Sequence, residues 1–164
     1  MMMKKNSGFT ITELMIVIGI ISILFGLSWI NFTSLPSRAS LQTDSVALIN
    51  DLKSQQMLAM TGDTGVGGTE SNYGVHFETT TYTLFKGNTY TLDGAGNFPI
   101  ELGNANLSFI NVTFPNSSVV FKKGSGEILD YIDDQKHDSV TITDSLTGTT
   151  KTIRLNIYGA TYTY

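Results

Sequence analysis

Phe9-Thr10-Ile11-Thr12-Glu13-Leu14-Met15-Ile16-Val17-Ile18-Gly19-Ile20-Ile21-Ser22-Ile23-Leu24-Phe25-Gly26-Leu27-Ser28-Trp29-Ile30 is the stretch on which the reading of this chain turns. Residues 14–30 are 17 positions without a charge. With Phe9 and Ile11 in front, the run reaches the roughly 20 residues that a bilayer-spanning helix needs. It is expected to cross a membrane. Lys4 and Lys5 precede it and the next basic residue is Arg38, so the positive-inside bias puts the short N-terminal end in the cytoplasm and everything after about Thr33 outside.

Glu13 is the residue out of place. A carboxylate costs roughly 2.5–3.5 kcal/mol near the centre of a bilayer and less near its edge, so a span keeps one only with a partner or a task. The run itself contains no Lys, Arg or His. A cut between Gly8 and Phe9 would create a positive charge, because Phe9 would then carry a free amine with an ordinary pKa near 8. Residues four apart share a helix face. Glu13 could therefore pair with its own chain's amine, or with that of a neighbouring copy shifted along the helix axis.

Lys4-Lys5-Asn6-Ser7-Gly8, then Phe9-Thr10-Ile11-Thr12-Glu13-Leu14 and the apolar run, resembles the class III leader and N-terminal helix of type IV pilins and type II secretion pseudopilins. The resemblance implies that prepilin peptidase cuts after Gly8, that Phe9 becomes the N-methylated first residue, and that Glu13 guides each subunit into a filament. It further implies other pilin or pseudopilin subunits, the peptidase, an inner-membrane assembly platform and the lipid bilayer as partners. Ile30 departs from the pattern, since many pilins carry a helix-kinking proline there. Two blander readings exist. An ordinary secretory signal has a shorter apolar core and a small-residue cleavage site after it, which Ser37-Arg38-Ala39 does not supply. A plain uncleaved anchor would leave Glu13 an interfacial passenger.

At 164 residues the chain supports one modest domain beyond this segment. Without Lys4 and Lys5, eight basic residues face 14 acidic ones, a net charge near −6. That balance argues against nucleic acid or anionic lipid as the main partner. The absence of cysteine excludes disulfides and thiolate sites. Few charges and many Thr, Ser, Asn and Gly suit a β-rich extracellular domain.

Along the chain, residues 1–8 read as a cleaved leader and 9–30 as the membrane and assembly helix. Residues 31–61 read as its amphipathic continuation: after Pro36, the residues Leu41, Val46, Leu48, Ile49, Leu52, Met57, Leu58, Ala59 and Met60 recur at threes and fours. Residues 62–72, rich in glycine, read as a linker and 73–164 as a β domain. There the period becomes two, predicting strands over 73–78 and 81–86, an extension over 89–92, strands over 107–114, 119–122 and 127–132, and a final hairpin of 140–143 with 150–158. In that hairpin Ile153, Leu155 and Ile157 share one face, and residues 160–164 continue an edge strand. The expected class is α+β: one long N-terminal helix, membrane-spanning in its first half and amphipathic in its second, packed on an antiparallel sheet.

The phrase Val119-Val120-Phe121-Lys122-Lys123-Gly124-Ser125-Gly126-Glu127-Ile128, followed by Val140-Thr141-Ile142-Thr143 and Lys151-Thr152-Ile153-Arg154-Leu155-Asn156-Ile157-Tyr158-Gly159, is similar to the H-type pseudopilin and FimT-like minor pilins. This leans toward a minor subunit. Some FimT-like proteins bind DNA through a basic C-terminal tail, but no basic residue follows Arg154, so that activity is not carried over and no nucleic-acid partner is expected. No zinc, P-loop or nucleophile-elbow motif occurs, and no enzyme activity, cofactor or metal is expected. His76 is read as solvent-facing or singly hydrogen-bonded. Asp130, Asp133, Asp134 and Asp138 are read as a solvated acidic loop, calcium being the alternative. The overall expectation is a filament subunit made at the cytoplasmic membrane and later extracellular or periplasmic. The alternatives are a membrane-tethered extracellular binding module that does not polymerise and, ranked last on charge, a DNA-uptake minor pilin.

Overall fold

The structure is a computed structural model describing residues 9–32, 35–62, 71–132, 134 and 137–164, with side chains described for those outside 26–38. The chain divides into two compact units, residues 1–36 and residues 37–164. The first contains helix α1 (Ile11–Phe32). Helix α2 (Leu35–Thr61) supplies the second unit with its helical layer, and Pro36 occupies the first turn of α2, where its missing N–H costs no hydrogen bond. The expected single continuous helix is thus two assigned helices, and the join at 33–34 lies outside the described residues.

In the second unit the buried positions of α2 are Leu41, Ser45, Leu48, Leu52, Gln55 and Ala59. The alternating spacing of fours and threes is that of one helix stripe. It differs from the stripe expected from apolar residues alone. Val46, Met57 and Met60 are exposed, while Ser45 is accommodated by donating to the Leu41 carbonyl at 2.6 Å. Gln55 is buried too, and its side-chain oxygen has no partner among the described residues.

Two four-stranded antiparallel sheets replace the one expected. The first has order β3-β2-β1-β5 and the second β4-β6-β7-β8. In chain order these are β1 (Tyr73–Phe77), β2 (Thr81–Lys86), β3 (Phe98–Glu101), β4 (Leu107–Ile110), β5 (Ser118–Phe121), β6 (Ser139–Asp144), β7 (Thr150–Leu155) and β8 (Thr161–Thr163). The first hairpin has the expected register, with Val75 opposite Leu84 and Phe77 opposite Tyr82. The final pair places Val140 opposite Ile153, and the tail adds β8 beside β7. One core joins α2 and both sheets: Leu48 and Leu52 of α2, Val75, Tyr82, Val119 and Phe121 of the first sheet, and Leu107, Ile142, Ile153 and Leu155 of the second.

Four strand expectations are corrected. Residues 89–92 form no strand, and the third strand of the meander is β3 instead. The 107–114 strand stops at Ile110 because Asn111 turns to a positive φ of 49°. Residues 127–132 contribute one bridge, Ile128 to Phe121. The last long strand ends at Leu155, after which Asn156 Oδ1 accepts from the N–H groups of Tyr158 and Ala160. Ile157 is thereby turned outward. Gly159 completes that turn at φ +71°, and a Cβ there would lie 2.5 Å from Gln56 Nε2. That amide donates to the Gly126 and Tyr158 carbonyls at 2.9 and 2.7 Å, pinning α2 to two loops.

Candidate processing and assembly site

Thr10 precedes the first residue of α1, and the Leu14 N–H donates to its carbonyl at 3.1 Å. Its hydroxyl accepts from the Glu13 N–H at 3.3 Å, satisfying one of the donors that a helix start leaves open. The same hydroxyl faces the Glu13 carboxylate at 3.5 Å. Thr10 and Glu13 therefore sit at the cap and third positions of a Ser/Thr-x-x-Glu pattern, with the acid in the turn where the helix dipole favours it. Residue spacing alone missed this local role, although the Thr10-Ile11-Thr12-Glu13 pattern carries it.

The helix begins at Ile11, so Phe9 lies outside it and is exposed beside a capped end. Gly8, the expected residue before the cut, lies outside the described residues. Among the described residues Glu13 has no ion-pair partner. From residue 9 to 25 every side chain is exposed, on all faces of the helix. An apolar helix with no buried face has no core of its own to join. Among the described residues no helix is long and apolar enough to cross a membrane; the side chains of 26–30, the end of the apolar run, lie outside them.

Residues 3–29 match the prokaryotic N-terminal methylation motif. The chain carries a prepilin-type signal. Gly8, Phe9 and Glu13 all fall inside the matched segment. No curated protein and no solved structure matches the chain.

The other residues singled out by sequence are engaged elsewhere. His76 Nδ1 meets Ser118 Oγ at 2.8 Å and its ring stacks on Tyr90 with centroids 4.0 Å apart. Burial lowers its pKa, opposed by the Glu78 charge and the Asn116 and Ser117 backbone. His137 meets Asp134 at 2.7 Å. Asp138 is buried rather than solvated, bound by Arg154 through Nε at 3.1 Å and Nη2 at 2.6 Å, and that bond holds the guanidinium pKa up. Asp133 lies outside the described residues, and among those described no cluster of three or more metal-ligating side chains occurs.

Proposed function

We propose that this protein is a structural subunit, not an enzyme, of a type IV pilus or type II secretion pseudopilus. Prepilin peptidase cuts the precursor between Gly8 and Phe9, Phe9 is N-methylated, and residues 9–30 hold the subunit in the cytoplasmic membrane until assembly. The domain after them lies outside, and the assembled filament is extracellular or periplasmic. The observation that carries this reading is the overlap of the methylation motif at 3–29 with a helix whose apolar side chains are exposed all round and which bears an acid in its first turn.

In this mechanism α1 exchanges lipid for neighbouring helices, a transfer between apolar surroundings that needs little energy. The Glu13 carboxylate then selects the axial register by meeting a Phe9 amine on an adjoining protomer. Before the cut, the Thr10 hydroxyl donates to that carboxylate at 3.5 Å; afterwards the new amine competes for it. The likeness of residues 119–128, 140–143 and 151–159 to H-type and FimT-like minor pilins is what favours a minor subunit.

Mass spectrometry of the mature N-terminus tests processing: a methylated Phe9 is expected, and a chain that still begins at Met1 defeats the proposal. Glu13→Ala tests assembly. Membrane association and domain folding should survive while incorporation into sheared filaments is lost; normal incorporation would remove the role given to Glu13.

A further inference from the structure

The outer face of the first sheet, opposite the core, presents Gly74, His76, Thr83, Phe85, Ser118 and Val120, as the strand register requires. Residues 87–97, connecting β2 to β3, return over that face. Tyr90 stacks on His76 and meets Phe85 edge-on at 5.7 Å. Beside Tyr90 this arrangement leaves a cavity of about 80 Å³. At roughly 10–15 Å³ for each enclosed water-sized group, it holds on the order of six such groups, enough for one edge of a sugar ring. Exposed Thr89, Asn116 and Asp130 are among its lining residues and leave it open to solvent.

Two properties of the wall stand out. Among the described lining residues, Asn88, Thr89, Tyr90 and Asn116 carry uncharged amides and hydroxyls, while the Ser118 and Tyr131 hydroxyls are bonded within the protein; Asp130 is the one carboxylate, His137, held by Asp134 at 2.7 Å, is the one group that can be cationic, and there is no Lys or Arg. Two of the four described non-glycine residues with positive φ line this place, Asn116 at 52° and Asp130 at 53°, and a third, Ser117 at 50°, lies between lining residues Asn116 and Ser118. Such conformations cost on the order of 1–3 kcal/mol each and persist where the surroundings over-determine them, as at ligand clamps. Asn and Asp tolerate them better than Ser, so the 116–117 pair is the more telling.

The geometry points to a binding site for a single neutral sugar residue, such as the terminal unit of a glycan, held by amide and hydroxyl groups beside the Tyr90 ring. The donors and acceptors suit a polyhydroxy ligand with no net charge, since a carboxylate or phosphate would meet Asp130 and, among the described lining residues, no cation but His137, which Asp134 already engages. Nothing in this site depends on the N-terminal signal, so its test does not share an outcome with the processing test.

The experiment uses the full chain in a detergent without sugar headgroups. Saturation-transfer NMR would screen methyl glycosides of glucose, galactose, mannose, fucose and N-acetylgalactosamine, with choline as a cationic probe. Saturation of at least one glycoside is expected. Asn116→Gly, which keeps the left-handed backbone, should weaken it about tenfold, the loss of roughly one well-made hydrogen bond. Thr89→Trp, at an exposed position on the rim, should abolish it without unfolding the domain. Asp130→Asn should leave glycoside binding within about threefold. Failure of every glycoside to respond, binding unaffected by Thr89→Trp, or response to choline alone would each overturn the assignment.

Discussion

Helices α1 and α2 belong to one short chain and solve opposite problems. Residues 9–25 leave every side chain exposed, Ile16 at 63% and Met15 at 72%. In α2 Leu48 is 0% exposed and Leu52 1%. The first helix is more apolar than the second and buries less. Apolar content therefore does not decide where the hydrophobic effect is satisfied within a chain; periodicity does, because only a stripe leaves a polar face to meet water. An all-round apolar helix has no such polar face.

The sharpest way to break this contrast is truncation on each helix. Leu48→Ala should lower the stability of the second unit by about 2–5 kcal/mol in denaturant unfolding. Ile18→Ala on α1, where the side chain is 55% exposed, should change it by less than about 0.5 kcal/mol. Comparable losses from both would mean that α1 is part of the same packed body.

A smaller effect tests how α2 is pinned. Gly159→Ala meets both a left-handed φ and the Gln56 amide, and should cost about 1–3 kcal/mol, read as a lowered Tm. Gln55 sharpens the contrast from the other side. Its buried oxygen, without a partner among the described residues, carries a desolvation penalty, so Gln55→Met should raise stability by about 1 kcal/mol. A loss instead would show that the amide is satisfied.

The smallest effect is the pH response of His76. Burial, opposed by the Glu78 charge, lowers its pKa from the ordinary 6.5, so the unfolded chain binds the proton more readily than the fold does. Its contribution to stability is complete above about pH 6.5 and declines as pH falls through that value toward the folded pKa. His76→Gln should flatten this part of the stability profile; an unchanged slope would assign it to other groups.

The hairpins were legible because alternation is a local property: Val75, Phe77, Tyr82 and Leu84 announce β1 and β2, and Val140, Ile142, Ile153 and Leu155 announce β6 and β7. Residues 89–92 have the same local appearance, yet Tyr90 stacks on His76 instead of joining a ladder. That choice depends on the face presented by another strand. Residues 127–132 likewise pair only at Ile128, since Asp130 turns left-handed two residues later. Burial of Ser45 and Gln55 was illegible for a related reason, as position on a packed stripe outweighed polarity.

The order of the residues fixed by itself the N-terminal signal, the helical character of α1 and α2 and the chief strand pairs, since each rests on contacts between near neighbours. Tertiary structure alone decided that the strands divide between two sheets, that Asp138 is buried against Arg154, and that a loop closes over His76 to leave a cavity. Those outcomes depend on which distant surfaces meet, and the energy of such a meeting is written in no single segment.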